Sequence, residues 1–105
     1  MKRANRANAA ALEHLLHQRG KTHLLVNVRG DHLIIFSKDD GEPEPRVRLT
    51  ALPAGRYGAS FRHHSGKWQP APISGSMIEV LDAVEAIAGW HLAPWPPWPA
   101  SGTNL

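Results

Sequence analysis

The sequence predicts an α+β fold: an antiparallel four- to five-stranded β-meander flanked by an N-terminal and a C-terminal helix packed on one sheet face, followed by an extended Pro/Trp-rich tail. Three observations predict it. Residues 7–18 are rich in Ala and Leu and contain neither Gly nor Pro, a helix-favouring composition. Between His23 and His64 apolar residues recur at alternate positions, interrupted by short turns that carry Gly or Pro, which is the period of half-buried strands. From Ser76 to Gly89 the helical period returns behind a Ser-x-x-Glu sequence, where the serine oxygen accepts an amide of the first turn and the glutamate reaches back to the cap.

In the first helix Leu12, Leu15 and Leu16, with Ala9 one turn earlier, make a narrow apolar stripe, and Gly20 ends it. In the run His23–Arg29, Leu24, Val26 and Val28 share one face while Leu25, Asn27 and Arg29 share the other. Gly30-Asp31 reads as a tight turn into His32–Ser37, giving a hairpin. The segment Lys38–Pro45 carries four acids, a Gly and two Pro, and is expected to be a solvated loop. Arg46–Leu52 and Tyr57–His64 alternate cleanly and flank a Pro53–Arg56 turn. Lys67–Gln69 is expected as a short edge strand, because Pro70 and Pro72 lack the amide hydrogen a central strand needs. In the last helix Met77, Val80, Leu81, Val84, Ile87 and Ala88 form the apolar face, with Gly89 as C-cap.

A chain of 105 residues has room for one domain, placed at 1–92 with the tail at 93–105. The absence of Cys excludes a disulfide framework, Cys-ligated zinc, an iron–sulfur cluster and a Cys nucleophile. The basic start Lys2, Arg3 and Arg6 is not followed by the uninterrupted apolar run of a signal peptide, since Asn8, Glu13 and His14 break it. The longest apolar runs fall far short of the roughly 20 residues of a membrane helix. A bacterial-type protein of the cytoplasm, with no membrane partner, is therefore expected.

Catalytic constellations are not found. The acids lie on the 39–44 loop, on the outer face of the last helix, or alone at Glu13 and Asp31. Ser60 and His64 would stand roughly 13 Å apart along a strand, too far for the histidine to activate the hydroxyl. No Gly-rich phosphate loop is present. The seven His residues lack metal-site spacing: His14 and His17 share a helix face, His23 and His32 flank a hairpin, and His63 and His64 are expected to diverge across a strand. No metal, cofactor or enzymatic activity is expected.

The functional lead is charge placement. The net charge is only +3, yet Arg46–Lys67 holds five cations and no acid. Alternation puts Asn27, Arg29, Arg46, Arg48, Thr50, Ser60, Arg62 and His64 on the sheet face away from the helices. Such clustered charge favours phosphate backbones or an acidic protein, unless the 39–44 acids fold back to neutralise it. The expected ligand-binding residues are Arg29, Arg46, Arg48, Arg62 and Lys67, with Trp68 as the aromatic contact; the face taken by Phe36 is left open. The expected function is a non-enzymatic binding protein whose basic sheet face recognises an anionic partner, nucleic acid first. The alternative is a protein-interaction module of the inhibitor, antitoxin or immunity type, binding an acidic protein through the same arginines or through the tail. Trp90, Trp95 and Trp98 are the interaction candidates there, including for a homodimer, with Trp90 expected to be buried against the core.

Overall fold

The computed structural model describes residues 4–94. Helix α1 (Arg6–Gln18) leads into strands β1 (Leu25–Arg29), β2 (His32–Asp39), β3 (Glu42–Leu52), β4 (Arg56–Arg62) and β5 (Trp68–Gly75), then helix α2 (Met77–Ala88) and a 3-10 turn, Gly89–Leu92. The strands form one antiparallel sheet in the order β1-β2-β3-β4-β5. Each strand therefore pairs with its neighbour in sequence, as short connections favour.

Both helices are specified at their ends. The Asn5 side chain accepts the Asn8 amide at 2.9 Å and caps α1. At the other end Gly20 takes a left-handed φ of 83°, and the Gly20 and Lys21 amides donate to the His17 and Leu16 carbonyls. This is a Schellman closure, which a glycine enters without steric cost. In α2 both halves of the Ser76/Glu79 capping box form. The two helices lie over one sheet face, and Leu12, Leu16, Val80, Leu81 and Val84 meet Leu24, Leu33, Ile35, Val47, Leu49 and Ala59 in one core. Arg19, just past α1, bonds to Asp82 and Glu85 of α2, and Lys21 reaches Glu85 at 3.2 Å. These ion pairs fix the two helices to each other over the buried apolar face.

Lys38–Pro45 is not a loop. β2 runs on to Asp39 and β3 begins at Glu42, joined by the two-residue turn Asp40-Gly41. Both turn residues have positive φ, 54° and 82°, as a type I′ hairpin requires. Pro43 and Pro45 are tolerated because β4 pairs with β3 only from Val47 onward, leaving one side of the proline-bearing stretch unpaired. β5 is likewise longer than its prolines suggest, and it is an edge strand.

The pairing slips between Ile35 and Phe36: Ile35 faces Val47, but Phe36 faces Pro45. Arg46 is the extra residue of this β-bulge, and a bulge reverses the alternation beyond it. Arg46 therefore does not join the open face. It is 1% exposed, on the helix side, where its Nε donates to Ser37 Oγ at 3.0 Å and its Nη1 donates to the carbonyls of His91 and Ala93. Burial pushes its guanidinium down from the usual arginine range, opposed by Asp39 and Glu44. The same slip pairs Ser37 with Glu44 and Asp39 with Glu42, so these three acids share the side of the sheet on which Ser37 is buried. Pro43, Pro45, Phe36 and Lys38 take the open face.

Replacing Arg46 with Met is expected to destabilise the fold by roughly 2–4 kcal/mol, because Ser37 and two carbonyls lose a buried, charge-assisted donor. Chemical denaturation checks this, and an unchanged midpoint would contradict the placement.

Candidate nucleic-acid interface

The open face is built by register. Asn27 pairs with Ile34, Ile34 with Arg48, Arg48 with Ser60 and Ser60 with Pro70, and directly opposed residues share a face. A second row runs Leu25, Phe36, Pro45, and Arg62 stands opposite Trp68 at the β4–β5 end. Within this surface lies a depression of about 310 Å³ lined by Asn27, Arg29, Ile34, Phe36, Pro43, Pro45, Arg62 and Trp68. Its floor is apolar and aromatic, its charges are guanidinium groups, and no carboxylate lines it.

Trp68 organises the arginines. The guanidinium carbons of Arg48 and Arg62 lie 5.0 and 5.3 Å from its ring centroid, within cation–π range. A guanidinium stacked on a ring keeps its in-plane N–H groups free to meet a phosphate or carboxylate edge-on. Burial lowers the Arg48 pKa from its usual range, and its Nε, shut off from water, has no hydrogen-bond acceptor among the described residues. Ser60, between Arg48 and Pro70, is itself only 5% exposed, which shows how closely this cluster covers the sheet.

The sequence-predicted residues thus separate. Arg29, Arg48, Arg62 and Trp68 come together on the open face. Arg46 is in the core, for the reason given by the bulge. Lys67 is exposed in the turn after β4, where its carbonyl accepts the His63 amide at 2.7 Å, and it lines none of the depressions described. Phe36, whose face alternation alone left open, joins the floor with Ile34. Trp90 is not buried; it is 61% exposed, and Leu92 fills the core in its place, anchored by His23 Nε2 donating to the Leu92 carbonyl at 2.9 Å. The 3-10 turn after α2 rotates the indole outward. Trp95 and Trp98 lie outside the described residues.

His17, His23 and His32 are engaged separately. His17 donates to the Leu24 carbonyl and His23 to that of Leu92, while His32 bonds to Thr50 at 2.9 Å; His23 and His32 do not meet each other. No group of three or more His, Asp or Glu is arranged to hold a metal ion among the described residues. No described helix is long and apolar enough to cross a membrane. Comparison with known protein families, curated proteins and solved structures returns no match to this chain, so function is argued from the site itself.

His32 supplies a pH test. Its pKa is lowered, first by burial and then by the nearby charge of Arg48. A histidine with a depressed folded pKa binds fewer protons folded than unfolded, so its contribution is complete above about pH 6.5 and is lost as pH falls towards the folded pKa. The substitution His32→Asn is expected to flatten the loss of stability below about pH 6.5. Thermal melts of both proteins at several pH values check this, and parallel curves would contradict it.

Proposed function

We propose that the open sheet face binds single-stranded nucleic acid. The observation that carries this reading is the coexistence, in one carboxylate-free depression, of the aromatic side chains of Phe36 and Trp68 with the guanidinium groups of Arg29 and Arg62. Nucleic-acid bases stack on aromatic rings at about 1–3 kcal/mol each, and arginines track the phosphates. A duplex hides its base faces, and a five-stranded sheet face offers no helix or two-stranded ribbon to enter a groove. Unstacked bases suit a flat platform of this kind. The helix-side location of Asp39 and Glu42 favours the reading as well, since neither acid lines the depression.

Binding is tested by fluorescence anisotropy with a labelled single-stranded oligonucleotide and its duplex. Affinity is expected to favour the single strand and to fall steeply between about 50 and 200 mM salt. Trp68→Ala should weaken binding by about 5- to 150-fold. An Arg29→Gln/Arg62→Gln variant should lower the slope of log affinity against log salt by about 1.4. Folding of each variant is verified by its thermal melt. Salt-independent affinity, or the absence of any oligonucleotide binding, contradicts the proposal. Equal binding of an acidic polypeptide, unaffected by Trp68→Ala, would transfer the same arginines to an acidic protein partner.

A further inference from the structure

Beside the open face, and sharing Pro45 and Arg62 with its depression, lies a second hollow of about 340 Å³ at the end of the sheet. Arg62, His63, His64, Trp90 and His91 line it, with Glu44 on its β3 side. A regular strand would send His63 and His64 to opposite faces, but β4 ends at Arg62. The chain then turns, closed by the His63 amide on the Lys67 carbonyl and the Gly66 amide on the His63 carbonyl. The two imidazoles consequently lie against each other, with centroids 3.9 Å apart.

The turn also sets the protons. The Ser65 amide donates to His63 Nδ1 at 3.1 Å, so the proton of a neutral His63 ring sits on Nε2. Among the described residues no hydrogen bond or ion pair engages that Nε2, the His64 ring or the Arg62 guanidinium. His91 rests its ring on Phe61 at 4.8 Å, and its Nδ1 is shut off from solvent without a partner there. The remaining charged groups facing the hollow are Arg46 and Glu44, both from β3. Glu44 acts electrostatically on buried Arg46. The ring N–H groups of His63 and His64, two guanidinium charges and a single carboxylate therefore converge on one concavity.

We infer that this hollow is a phosphate subsite, in which Arg62, His63 and His64 hold a phosphodiester group of the strand lying on the open face and bind it more tightly as His64 takes up a proton, and His63 as well once its Nδ1 gives up the Ser65 amide. The inference rests on the single-strand reading for the source of the phosphate. Arg62 stands between the two depressions, so a strand that stacks on Trp68 passes directly from one to the other. A phosphate dianion or diester anion stabilises a protonated imidazole beside it, which couples binding to acidification across the imidazole range.

The test has two arms. With the oligonucleotide, lowering pH from about 7.5 to about 5.5 should tighten binding by roughly tenfold in the natural chain and by less than about threefold in His63→Gln/His64→Gln. His32 lies outside this hollow, so the double substitution leaves its titration in place. Should that variant not fold, His64→Gln alone, at an exposed position, should remove part of the gain. With inorganic phosphate, the ring proton resonances of His63 and His64 should shift by NMR. An oligonucleotide bound with its full pH gain in the variants overturns the subsite and leaves the open-face proposal standing. Shifts with inorganic phosphate but no oligonucleotide binding overturn the open-face proposal and assign the hollow to a free phosphate ester. Silence of both histidines towards phosphate and oligonucleotide alike overturns the subsite.

Discussion

The guanidinium of Arg46 lies inside the fold, where it bonds to Ser37 of β2 and to two carbonyls of the turn that follows α2. A buried arginine needs its donors satisfied, because taking the charge out of water costs several kcal/mol. Those partners are within reach only because the bulge turns Arg46 to the side on which Val47 already faces the core. One extra residue in β3 thereby fastens the chain after α2 onto the sheet. It also seats Leu92, which is fully buried, beneath the same contact.

The bulge sorts charge as well as packing. Asp39, Glu42 and Glu44 fall on the Arg46 side, where two of them oppose the lowering of its pKa. Arg29, Arg48 and Arg62 are left on the other side with Ile34, Phe36, Pro45 and Trp68. A nearly balanced composition is thus divided into an acid-bearing helix side and a basic, aromatic sheet face. Trp68 then sets the arrangement within that face, since it holds two guanidinium groups against one ring. Side chains fixed in this way lose less entropy on binding than free arginines would, which links the packing of the face to its proposed use.

Much of the architecture was legible because it rests on period and caps. The Ala/Leu run, the Ser76/Glu79 box and the alternation in Arg46–Leu52 each dictate local structure independently of distant contacts, and the two helices and the strand order follow from them. The bulge was not legible by alternation, which carries straight through Arg46 and places it on the wrong face. Its one sequence signal is Pro45, a residue that interrupts ladder hydrogen bonding and marks bulges or edges. The Asp40-Gly41 turn is a known hairpin pair, but the prolines and acids around it gave Lys38–Pro45 the composition of a loop. His63 and His64 were separated by the same assumption of a continuous strand. Trp90 was misplaced because a 3-10 turn advances side chains differently from the extended chain expected after Gly89.

The bulge at Arg46 divides the arginines into one that holds the fold and three that stand on the open face proposed to bind. The arginine Nε–H resonances in a 1H–15N spectrum read this division directly as a single-stranded oligonucleotide is added. Arg29, Arg48 and Arg62 are expected to shift most, while Arg46 exchanges its Nε proton slowly with water before and after the addition. Rapid solvent exchange at the Arg46 Nε, or a shift of Arg46 larger than those of Arg29 and Arg62, would contradict this division.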